Sequence, residues 1–335
     1  MTALLTIGKR LSRAVALDLG SSSITWCNLS TDEVVEESNF ALIDEKKGRV
    51  VEIGESAASA QGRVQGNLRV VRPFRNGRLV DLEIAERFFR TLFAKMGFGR
   101  FSKPIVGIST PPFFTAAEKR VLASTMSRAG ASRVVFIDAI VAGAVGAMLD
   151  IQGPTGVMVA SFGAQTTFSG ILSLGESLTS NWELVGGDTI SGAIATHLRS
   201  QYNLVMADPD VEELKLSLLD LSTTSFDLSA KVVGRNVESG DEQEETVSSA
   251  EVFDASSDTV KLMVDTVIAT LTSAPAEISN DLSRAGIVLI GRTSLTRGID
   301  DLLAQLTSLP VVRSDIVERA LVLGTARILG QVSTS

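Results

Sequence analysis

The residues best placed to do chemistry are Asp18, Gly20 and the serines Ser21, Ser22 and Ser23, in the stretch AVALDLGSSSITWCNL (14–29). A carboxylate here can hold Mg²⁺ through water, and a tight Gly-Ser turn offers backbone N–H groups and hydroxyls to a phosphate. The same composition also suits a plain polar turn. The plan recurs in GVMVASFGAQTTFSGILSL (156–174), where Gly163 aligns with Gly20, Ser161 with Asp18, and Ala164–Thr166 with Ser21–Ser23. A third candidate phosphate contact is Gly186-Gly187-Asp188 (186–188). Paired glycines at a helix start let N–H donors approach an anion, although a simple strand-to-helix turn reads the same way. His197 is the single histidine, so histidine metal sites and histidine-dependent triads lack parts.

Positioning these residues calls for two β-hairpins. Apolar runs before each glycine, and Ile24, Trp26 and Leu29 after the first, give the strand alternation. A repeat this long indicates a duplicated domain, with one hairpin from each half facing a shared cleft and gripping one polyphosphate. In the first half the pattern predicts strands over 40–43, 49–53, 105–109 and 134–137, a helix or loop over 54–63, helices over 82–96 and 114–128, and a small-residue helix in DAIVAGAVGAML. The second half predicts a strand over 177–185, helices to Leu198 and over 211–219, and strand fragments over 225–233. The acidic run 241–245 reads as a solvated loop tip, followed by a helix over 258–272. Strands over 286–290 and 311–312, a turn at Gly291, and helices over 298–306 and 314–330 close the chain. Alternating elements of these lengths imply α/β layers with parallel pairings.

The 335 residues exceed one ordinary core, which favours two domains. A net charge of −8 argues against nucleic acid as the main partner. Cys27, the only cysteine, excludes a disulfide framework and reads as a buried thiol in a reducing compartment. No apolar run is long enough to span a bilayer. Residues 1–13 place Leu4, Leu5, Ile7 and Leu11 among Lys9, Arg10 and Arg13 with no acidic residue. This composition suits an amphipathic segment lying on an anionic membrane, or equally a frayed or docked terminus. The arginines at 63, 69, 72, 75 and 78 form either a contact surface or a solvated loop.

The order of the first hairpin, VVRPFRNGRLVDLEIAERFF, AEKRVLASTMSRAGASRVVFI, the second hairpin, VGGD and GIVLIGRTSLTRGIDDLL resembles the MreB family of bacterial actins across nearly the whole chain. The resemblance implies an actin-like (ribonuclease H-like) α/β fold of duplicated domains around a central nucleotide cleft. It assigns 14–150 plus 314–335 to one domain, with a small subdomain near 32–78, and 151–313 to the other, with a small subdomain near 188–250. It implies a cytoplasmic homopolymer at the inner face of the cell membrane, partnered by cell-wall or division machinery, with ATP and Mg²⁺ as cofactors. Residues 1–13 resemble the family's membrane anchor.

Carried over by motif, Asp18, Gly20, Ser21 and Ser22 fall in the first phosphate motif. In the second, Ser161 replaces an Asp, Gly163 alone remains of three glycines, and Thr166 and Thr167 are kept. Asp138-Ala139-Ile140 stands where a Glu-Glu-Pro stretch would orient attacking water. Glu212 and Lys215 match the ribose-side pair, preceded by Gly186, Gly187 and Asp188. Gly291-Arg292-Thr293 replaces the three glycines of the adenosine motif. A water-positioning group is worth about 10²–10⁴ in rate, so these replacements imply a scaffold with weak or lost ATP hydrolysis. The alternatives are a slow filament ATPase in which Asp138 substitutes for the glutamate, and a small-molecule kinase of the same fold. The kinase lacks an evident carboxylate base.

Overall fold

The computed structural model describes residues 13–222 and 227–332, so the N-terminal segment carrying Leu4, Leu5, Ile7 and Leu11 lies outside the described residues. The chain divides into two compact units, 1–152 with 318–335, and 153–317.

The first unit opens with an antiparallel meander, β1 (Ala14–Leu19), β2 (Ser23–Asn28) and β3 (Glu33–Ser38). A small sheet follows from β4 (Ala41–Asp44), β5 (Arg49–Ile53) and β6 (Leu68–Val71), with the short helix α1 (Glu55–Ala58) between the last two. Next come a two-residue ribbon, β7 (Phe74–Arg75) and β8 (Arg78–Leu79), then α2 (Leu82–Lys95), β9 (Ile105–Thr110), α3 (Ala116–Ala129), β10 (Arg133–Asp138) and α4 (Ala139–Gly146). The main sheet has the order β10-β9-β1-β2-β3, with β9 and β10 parallel to β1.

The second unit repeats this plan. It contains β11 (Val157–Phe162), β12 (Thr167–Ser173), β13 (Glu176–Glu183), α5 (Gly187–Tyr202), β14 (Leu204–Val205), α6 (Asp208–Leu218), β15 (Ser229–Asn236) and β16 (Glu242–Ser248). It ends with α7 (Ser249–Thr272), α8 (Ser279–Ala285), β17 (Ile287–Ile290), α9 (Ile299–Thr307) and β18 (Val311–Arg313). The sheet order β13-β12-β11-β17-β18 is the same meander followed by two parallel strands. The chain then returns to the first unit through α10 (Ala320–Val332).

Strand alternation sorts the first unit's core. Val15, Leu17 and Leu19 pack with Phe88, Phe89 and Met126 of α2 and α3, while Ala14 and Ala16 face Val322, Ala326 and Leu329 of α10. By the same period Asp18 lies on the α10 face, at the end of its strand. Cys27 is buried there, its thiol pushed up to about 12 by burial and then by Asp32.

Three expectations are corrected. The acidic run is not a loop tip: Glu242–Ser248 is an edge strand paired with β15, and Lys231 spans it to Glu244 at 2.6 Å. One solvated face accommodates its charges. The helix expected from 258 begins at Ser249, because Ser248 and Glu251 form a reciprocal capping box. The closing helix begins at Ala320 rather than 314, after a stretch in which the Val317 carbonyl accepts the Gly291 N–H at 2.8 Å.

Candidate functional site

In the first unit the C-terminal ends of the parallel strands β1, β9 and β10 bring up Asp18, Ser109 and Asp138, the edge at which open α/β sheets bind ligands. The innermost pair of the first hairpin, Leu19 with Ile24, leaves Gly20–Ser23 as its tip. Burial raises the Asp18 carboxyl to about 6, Ser109 Oγ opposes this by donating to Oδ1 at 3.3 Å, and the charge of Glu36 adds to the rise. Ser21 is buried, and its Oγ accepts the Gly77 N–H at 3.4 Å; Ser22 is exposed. Asp138 is exposed and caps α4, with Oδ1 accepting from the N–H groups of Ile140 at 2.7 Å and Val141 at 3.4 Å. Its neighbour Ala139 is buried.

The second hairpin has the same construction. Its innermost pair, Phe162 with Thr167, leaves Gly163–Thr166 as a four-residue tip, and Ser161 is buried at the strand end. The Gly163 N–H donates to the Thr166 carbonyl at 2.9 Å, and Thr167 Oγ1 donates to the Val185 carbonyl at 2.9 Å.

Gly186, Gly187 and Asp188 stand at the start of α5, beside the second hairpin's tip. The Gly187 N–H donates to the Gly163 carbonyl at 3.0 Å and the Asp188 N–H to the Ala164 carbonyl at 2.7 Å. A Cβ at Gly186 would stand 2.3 Å from that Gly163 oxygen, so the close approach requires glycine. These donors therefore hold the hairpin tip. Thr293 Oγ1 joins them on the Gly163 carbonyl at 2.8 Å, and Gln165 Nε2 donates to Asp188 Oδ2 at 2.9 Å.

Glu212 and Lys215 are brought together, one helical turn apart on α6. The Lys215 ammonium, 6% exposed, donates to Glu212 Oε2 at 2.6 Å and to the Gly187 carbonyl and Ser191 Oγ at 3.1 Å each. Three acceptors satisfy this buried cation. Gly291 follows β17 and opens the turn Arg292–Leu295, in which Arg292 is exposed.

Sequence reasoning missed Ser109, Ser191 and Asn39, whose amide holds the first hairpin; it placed Thr293 in the adenosine motif but not its bond to the Gly163 carbonyl. Ser109 had a usable signal, since it ends a predicted parallel strand. Ser191 and Asn39 had none, because their partners are 21 and 35 residues away in sequence.

A family profile described as MreB/Mbl protein matches residues 12–335. The chain is 27% identical over 319 residues to the cell shape-determining protein Mbl of Bacillus subtilis, covering 95% of this chain and 96% of that protein. It is 28% identical over 308 residues to the cell shape-determining protein MreB of Escherichia coli, covering 90% and 88%. The crystal structure of MreB 5 of Spiroplasma citri bound to AMPPNP superposes with a TM-score of 0.88 at 25% identity, covering 97% of this chain and 98% of that one. The chain belongs to the MreB/Mbl family of bacterial actin-like cytoskeletal proteins.

Proposed function

We propose that this protein is a membrane-apposed, filament-forming scaffold for cell shape or cell-wall synthesis that holds ATP weakly and does not turn it over. The observation that carries this reading is the pair of matching hairpin tips with unmatched chemistry, Asp18 on one and buried Ser161 on the other. The AMPPNP bound to the Spiroplasma citri relative supports a nucleotide as the ligand of this fold.

The residues fit that ligand in part. The desolvated Asp18 carboxylate suits a cation, and Mg²⁺ prefers one or two carboxylates with phosphate oxygens and water. Bound there, Mg²⁺ would neutralise phosphate charge. On the second unit Ser161 brings no charge, and the N–H groups of Gly187 and Asp188 are already engaged. Asp138 commits Oδ1 to the α4 cap, and Ala139 has no group to orient water. On this reading the chain holds a phosphate tail, while Asp138 is tied to its helix cap and Ala139 brings no base.

Phosphate release from ATP and Mg²⁺ tests this, with Escherichia coli MreB assayed alongside. Release is expected to fall at least about 100-fold below that relative and to be unchanged in Asp138→Ala. Steady release abolished by Asp138→Ala would establish a slow ATPase instead.

Membrane apposition is supported by Phe101, 89% exposed on a turn closed by a Gly99–Ser102 bridge and flanked by Arg100 and Lys103. An outward phenylalanine between cations suits an anionic lipid surface. Among the described residues no helix is long and apolar enough to cross a membrane.

A further inference from the structure

Asn39 follows β3 and is completely buried, 0% exposed. Its backbone N–H donates to the Ser22 carbonyl at 2.9 Å. Its side-chain Nδ2 donates to the Ser21 carbonyl at 2.8 Å and to the Phe74 carbonyl at 2.7 Å. Two carbonyl acceptors fix which end of the amide is nitrogen, since the reversed amide would set oxygen against oxygen. Oδ1 finds no partner among the described residues, so the position uses the amide as a two-way donor.

The consequence follows from peptide planarity. In a trans peptide the N–H points opposite to the C=O of the preceding residue. With the Ser21 and Ser22 carbonyls drawn toward Asn39, the N–H groups of Ser22 and Ser23 are directed to the other side of the tip. Two successive N–H groups turned the same way make an anion-binding concavity. The second unit orients its tip by the same logic, capturing the consecutive carbonyls of Gly163 and Ala164 with the N–H groups of Gly187 and Asp188.

Asn39 also reaches a second element. Phe74 begins β7, and the β7–β8 turn, Asn76-Gly77, has φ of 50° and 69°, as in a type I′ hairpin. Its Gly77 N–H donates to Ser21 Oγ at 3.4 Å. Arg78 of β8 pairs with Glu118 at 2.6 Å and lies 5.2 Å from the Phe113 ring centroid. The tip is therefore latched to a hairpin that is itself anchored on α3.

We infer that Asn39 is a positioning residue which sets the N–H groups of the Asp18–Ser23 tip toward a nucleotide's phosphates and couples that tip to the β7–β8 hairpin. This rests on the weak nucleotide binding proposed above. The test is calorimetric titration of the full chain with ATP and Mg²⁺, with hydrogen exchange over 19–24 and 73–80 in free and ATP-saturated protein. Asn39→Ala is expected to weaken ATP at least about tenfold, and Asn39→Ser, which keeps one donor, by less. In the original chain ATP is expected to slow exchange in both segments, and in Asn39→Ala only in 19–24. Leu282→Ala, a core truncation in α8 of the second unit, controls for lost stability and should leave ATP affinity unaltered. Equal affinity in the original chain and Asn39→Ala overturns the inference, as does an equal loss in Leu282→Ala. Absence of ATP binding by the original chain overturns it together with the underlying reading, and is recognised before any variant is made.

Discussion

Asp18 is a carboxylate held where water is scarce. Its rise from 3.8 to about 6 corresponds to about 3 kcal/mol of preference for the neutral form in the folded chain. A group whose folded pKa is raised contributes stability below its unfolded value and loses it as pH rises through the folded one. Asp18→Asn should therefore stabilise the nucleotide-free protein at pH 7.5 by about 2–3 kcal/mol, with the gain shrinking as pH falls from 6 toward 4. Urea unfolding at both ends of that window checks it, and a gain independent of pH would contradict the desolvation account. Glu251 has the opposite sense. Burial alone would raise it, but hydrogen bonds from Ser248 and Tyr202 bring it down to about 2. The α7 cap therefore supports the fold fully above the ordinary glutamate value of 4.5, and its contribution is lost progressively as pH falls from there toward about 2.

Among elements, the α4–α10 contact is the most exacting. A Cβ on Gly324 would stand 1.8 Å from the Ala142 carbonyl oxygen, and one on Gly146 would stand 1.8 Å from that of Ala320. The two helices touch backbone to backbone, which only small residues allow. Arg327 donates to the Val145 carbonyl at 2.6 Å and closes the end of α4. Gly324→Ala should cost about 3 kcal/mol by forcing the helices apart; thermal unfolding measures this, and an unchanged midpoint would mean that the contact is loose. The sequence marked DAIVAGAVGAML as a small-residue helix, and its composition is explained by this partner, which lies far away along the chain.

For the whole molecule the question is where it works. Burying an aromatic side chain is worth about 1.5–3 kcal/mol when complete, so Phe101→Ser should weaken sedimentation with anionic vesicles about tenfold. Deletion of residues 1–13 should weaken it further if that segment also engages lipid. Equal sedimentation of all three forms would count against apposition. Light scattering and negative-stain images across salt and nucleotide conditions test assembly, and monomers throughout would oppose the scaffold reading.

The amino-acid sequence by itself determined the duplicated α/β plan and both hairpins, because these depend on alternation, turn chemistry and neighbours a few residues apart. It also exposed the missing carboxylate at Ser161, which is a matter of residue identity. Only the tertiary structure decided what each polar group does. Gly187 and Asp188 orient a hairpin, Asp138 caps a helix, and Asn39 ties Ser21 to Phe74. Hydrogen-bond partners are chosen by proximity after folding, and a one-dimensional pattern does not contain that proximity.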